Sequence, residues 1–96
     1  MPYIPKEKRK KYDDSIDAIA DILNTRAGND ELSGEMNYVL FRLALALSDQ
    51  EAGGRRTYAR MAVISSALSE AQAEFRRRIM APYEDEKIRK SGDVEL

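Results

Sequence analysis

The sequence predicts an all-α protein: a small helical bundle of three main helices plus a short C-terminal helix, one domain over residues 1–96, and oligomeric. Three observations lead there. Apolar residues recur at steps of three and four in each apolar segment, and no stretch alternates as a half-buried strand does. Turn-forming residues gather between those segments, at Gly28, at Gly53-Gly54 and at Pro82. The stretch from Thr57 to Met80 contains neither Gly nor Pro, and as a helix it is a rod of roughly 35 Å.

Residues 1–12 read as a basic N-terminal arm. Pro2 and Pro5 lack amide donors and push the residue before each toward extended backbone. Pro5 is suited to open a short helical turn over Lys6 to Arg9, and Tyr3 and Ile4 are apolar enough to tie the arm onto a surface. Asp13 or Asp14 caps a first helix over 14–25, with acids favouring the positive end of its dipole. Ile16, Ile19, Ala20 and Leu23 form its apolar face. Gly28 marks the stop, within a loop from Ala27 to Leu32.

Ser33 is then the expected cap of a second helix over 34–48. Met36, Val39, Leu40, Leu43, Ala44 and Leu47 carry its period, and Phe41, Leu45 and Ala46 extend the apolar surface almost round the cylinder. A chain of 96 residues has little material to wrap such a helix twice. This predicts a homo-oligomer, with the chain itself as its first partner. Asn37, Tyr38 and Arg42 are the polar residues on that helix. Tyr38 and Arg42 share a face at i and i+4, and all three are candidate ligand contacts as well as members of an interhelical hydrogen-bond network.

Gly53-Gly54 centres the next turn. Two glycines followed by Arg55-Arg56 and a helix start resemble a phosphate cradle, although the Walker spacing is absent. Thr57 caps the long helix 57–80, whose stripe is Met61, Ile64, Leu68, Ala71, Phe75 and Ile79. Glu70 and Glu74 lie one turn apart, and either is placed to pair with Arg77 or Arg78, at i+7 or i+4. Pro82 is expected to stop this helix or to kink it near Arg78. Glu84 to Lys90 forms the short last helix, ended by Ser91-Gly92, and 91–96 is a tail.

Charge is segregated along the chain although the net is −1. Residues 1–12 sum to +4, 13–51 to −7, 52–78 to +4 and 79–96 to −2. Blocks of alternating sign mate within a chain or between subunits. A nucleic-acid-binding domain would be basic overall, which places nucleic acid low among partners. Cys and His are both absent, so thiolate chemistry, disulfides and the usual neutral-pH base are excluded. The expectation is a cytoplasmic protein with no signal peptide and no membrane span, holding no cofactor and no metal.

Several landmarks stand in order: Met-Pro-Tyr-Ile-Pro at 1–5, Gly34 through Val39, Glu74-Phe75 with Arg77-Arg78, Pro82-Tyr83-Glu84-Asp85 with Lys87, and Gly92-Asp93-Val94. In these the chain resembles a family of short, uncharacterised proteins of bacteria, archaea and tailed phages. The resemblance implies no activity, so it carries over no catalytic residue. One position departs from it, since Arg76 stands where an aromatic is expected. The phage connection favours small interaction or sequestering proteins.

Three functions are open at this level. The first is binding of an anionic small molecule, a nucleotide or cyclic nucleotide signal, with Arg55, Arg56, Arg77 and Arg78 holding phosphate and Tyr58 and Tyr83 stacking on a base. The second is a structural or regulatory interaction module in which the same charges only make salt bridges. The third, ranked last, is a magnesium-dependent nucleotide hydrolase using Glu35, Glu70 and Glu74.

Overall fold

Two α-helical rods near 30 Å and a third of about 50 Å form the protein in this computed structural model, which describes residues 3–24, 28–49 and 55–96. Helix α1 spans Lys6–Asn24 and α2 spans Asn29–Ser48. Helix α3, Tyr58–Phe75, runs through a π-helical segment, Arg76–Met80, into α4, Ala81–Ser91. Together these last three make one continuous helix of 34 residues. Among the described residues there is no strand, and no helix is long and apolar enough to cross a membrane.

Helix α1 starts eight residues before the expected 14, so most of the basic arm is helical. Pro5 opens it, its carbonyl accepting from Lys8 N at 3.0 Å. No breaker lies between Lys6 and Asn24, and Glu7–Lys11, Arg9–Asp13 and Lys10–Asp14 are spaced for helix-stabilising pairs. Helix α2 also starts early, at Asn29. Gly28, expected as a stop for α1, precedes the first turn of α2 with φ 86°, and its carbonyl accepts from Leu32 N. Asp30 and Glu31 then favour the dipole. Ser33 is therefore inside α2, not its cap, and so is Gly34.

The Thr57 cap is as expected, with Oγ1 accepting from Arg60 N at 3.1 Å. Pro82 neither stops nor kinks the helix into two pieces. Its missing amide is accommodated by the wider turns just before it, where Ala81 N donates to Arg76 O, five residues back. Gly92 closes α4 at φ 88°, donating to Ile88 O at 2.8 Å.

The helices meet near their ends, α1 with α2 and α2 with α3. Residue Tyr3, just before α1, reaches Glu74 and Arg78 near the end of α3. These three contacts close the helices into an open triangle in outline, with the third helix the longest side. The longest dimension is 57 Å, and the radius of gyration is 17.5 Å, against about 12.5 Å for a compact chain of this length.

An open triangle has no centre in which to bury side chains. Among the described residues no apolar side chain is buried, and the only buried residue is Ser48. Val39, Ala44, Leu45 and Ile64 are half-buried, while Phe41, Leu43, Phe75 and Ile79 are more than half exposed. The accessible surface is 8733 Å². A compact monomer of this mass exposes about 5,600 Å², so roughly 3,100 Å² is in excess.

Candidate functional site

Two arginine-centred clasps fix corners of the triangle. At the α2–α3 corner, Ser48 Oγ donates to Leu45 O at 2.8 Å and accepts from Arg56 Nε at 3.0 Å. Arg56 Nη2 lies 3.1 Å from Asp49 Oδ1. Arg60 Nε donates to Leu47 O at 3.1 Å. Both arginines thus meet the C-terminal turn of α2, where unsatisfied carbonyls leave partial negative charge. Asp49 adds a full charge. The result is a C-terminal end of α2 bonded to the residues that begin the long helix.

At the other corner, the arm folds back onto the long helix. The Tyr3 hydroxyl donates to Glu74 Oε2 and accepts from Arg78 Nη1 at 2.9 Å. Glu74 Oε1 accepts from Arg77 Nη2 at 2.8 Å and from Arg77 Nε at 3.2 Å. The guanidinium carbons of Arg78 and Arg9 lie 5.8 and 6.0 Å from the Tyr3 ring centroid, so cations from α1 and from the π-helical segment both approach one ring. The Tyr3 hydroxyl, and after it Arg77, holds the Glu74 carboxyl below its ordinary value of 4.5. The same hydroxyl, followed by Glu74, strengthens the hold of Arg78 on its proton.

Beside this clasp an open trough of about 1170 Å³ runs along α3. Val63, Ala67, Ala71, Phe75 and Ile79 form its apolar side, Ser66, Glu70 and Glu74 its polar side, and Tyr3 and Arg78 one end. A smaller groove of about 330 Å³ lies between α1 and α2, with Tyr38 at its edge.

The expected ligand residues are only partly brought together. Arg55, Arg56 and Tyr58 stand at the start of the long helix, and Arg77, Arg78 and Tyr83 follow 19 or more residues later, about 30 Å away along one rod. Tyr58 is 84% exposed. Tyr83 is also exposed, with Lys87 Nζ 5.6 Å from its ring centroid. Asn37, Tyr38 and Arg42 are exposed on α2, so within one chain they form no buried network. Gly53-Gly54 lies outside the described residues. No group of three acidic side chains placed to hold a metal ion occurs among the described residues, and Glu74 is taken up by Tyr3 and Arg77.

Sequence reasoning missed Ser48 and Asp49, and it gave Tyr3 no specific partner. Glu74 with Arg77 or Arg78 was legible from spacing. Tyr3 is 71 positions from Glu74, and no periodicity reports such a contact.

The fold and clasps define a small all-α chain braced at its corners by arginines, with wide apolar faces open. The chain belongs to a family described as a domain of unknown function, DUF6899, which matches residues 1–94. No curated protein and no solved structure matches the chain.

Proposed function

We propose that this protein is a self-associating helical interaction module, which completes its hydrophobic core with further copies of itself. One observation carries the reading: no apolar side chain among the described residues is buried, although the helices are regular. Isolated helices of about 20 residues are marginal in water without tertiary burial. The surplus of roughly 3,100 Å² per chain, about 6,200 Å² for a pair, is at or above what obligate assemblies remove from solvent. The clasps support the same reading. Arg56, Arg60, Arg77 and Arg78 make bonds that brace the corners, and this leaves the triangle ready to receive a partner. Light scattering from micromolar upward tests the proposal. It predicts a mass at an integer multiple of 10.9 kDa, and a helical species at 10.9 kDa throughout contradicts it.

A second reading, binding of an anionic small molecule such as a nucleotide, is favoured by Tyr58. Its ring is 84% exposed at the first turn of α3, three residues after Arg55. An exposed ring and a guanidinium at a helix N-terminus suit a base and a phosphate. A thermal-shift screen with nucleotides, with and without magnesium, tests it. The expected sign is stabilisation that is lost in Arg55→Ala with the assembly mass unchanged. No shift with any nucleotide eliminates this reading and leaves the first untouched.

A further inference from the structure

The trough on α3 has a shape that a second copy of α3 fills. Its apolar ridge is Val63, Ala67, Ala71, Phe75 and Ile79, at a constant step of four. Residues at that step form one continuous ridge on a helix surface. The ridge is uneven in size: small at Ala67 and Ala71, large at Phe75 and Ile79. In a parallel pairing, Phe75 would meet Phe75 and hold the backbones apart over the alanines. In an antiparallel pairing centred on Ala71, Phe75 of each copy stands opposite Ala67 of the other, and Ile79 opposite Val63. Each large side chain then meets a small or medium one, as native-density packing requires.

Charge along the same alignment agrees. Extending it outward brings Glu84 and Asp85, at the start of α4, near Arg55 of the other copy, while Arg56 stays with Asp49 and Glu86 with Arg89 and Lys90 of their own chain. This happens twice, once at each end, as a two-fold interface demands. The exposed side chains on this face call for one occupant of this kind. Val63 is 65% exposed and Phe75 and Ile79 are each 58% exposed, so the face carries part of the surplus surface that a second helix would cover.

We infer that α3 is the axis of the assembly, docking antiparallel on α3 of a second copy with Ala71 at the two-fold. The inference rests on the self-association proposed above and adds which face pairs and in which direction.

The chain has no cysteine, so single introduced cysteines report proximity cleanly. At the two-fold, Ala71→Cys meets its own copy. Ala67→Cys stands eight residues from its copy, about 12 Å along the axis, beyond disulfide reach. The expected result under mild oxidation is a covalent dimer for Ala71→Cys and none for Ala67→Cys. Phe75→Ala, at unchanged helix content, is expected to weaken the dimer about a hundredfold, since it empties the main knob at both ends of the interface. Covalent dimers from both cysteine variants mean a parallel pairing and overturn the inference. An oligomeric mass with no crosslink at Ala71→Cys, and an unchanged mass for Phe75→Ala, overturns the face but keeps self-association. A monomeric mass for the parent overturns both.

Discussion

Tyr3 is the residue with the widest reach in the chain. Its ring receives two guanidinium groups, and its hydroxyl links Glu74 to Arg78. Tyr3→Phe removes only the hydroxyl. Because Glu74 and Arg78 sit at the surface, solvent screens most of the lost energy. The expected outcome is a melting temperature lower by no more than a few degrees, with helix content unchanged. The acid limb follows from Glu74. Its carboxyl is held below 4.5, chiefly by the Tyr3 hydroxyl and then by Arg77. A group depressed in this way contributes fully above its unfolded value and loses its contribution as pH falls through the folded one. The clasp is therefore expected intact at neutral pH and released in acid below 4.5. A carboxyl titration by NMR checks this, and a Glu74 midpoint at or above 4.5 contradicts it.

The caps make separate predictions at the scale of the elements. Among the described residues, Thr57 is the one side chain seen to cap a helix start, bonding Arg60 N. Thr57→Ala is expected to cost about 1 kcal/mol in denaturant unfolding. Gly34 sits inside α2, where an added Cβ would meet nothing within 4 Å. Gly34→Ala is expected to stabilise by about 0.5–1 kcal/mol through lower chain entropy. What was legible at this scale was what is local. The Thr57 cap, the Gly92 stop and the period of each apolar face depend on residues within a turn or two. The early starts of α1 and α2 were not legible from apolar periodicity. Lys6 to Tyr12 carries its helical signal in charge spacing, and Ser33-Gly34 imitates a boundary that the acids at 30 and 31 override. The π-helical turns before Pro82 have no separate sequence signature. They are the backbone's response to one missing amide in an otherwise continuous helix.

The whole molecule is a triangle of helices whose apolar faces are made but not covered. The sequence carried this in the second helix, apolar nearly all round, from Met36 to Leu47. It did not carry the bonded corner between α2 and α3, because Ser48, Asp49, Arg56 and Arg60 make it through contacts across a turn. It carried the candidate ligand residues as two groups and not their separation, which the uninterrupted helix from Tyr58 to Ser91 imposes. The central claim is that the helices persist only when copies cover one another, so unfolding and dissociation are one event. Urea unfolding followed by circular dichroism, at two protein concentrations about a hundredfold apart, tests this most directly. For a dimer the apparent stability rises by about 2.7 kcal/mol across that range, and the urea midpoint is predicted to move up with concentration. A cooperative transition whose midpoint is the same at both concentrations would show a self-sufficient monomer and contradict the account.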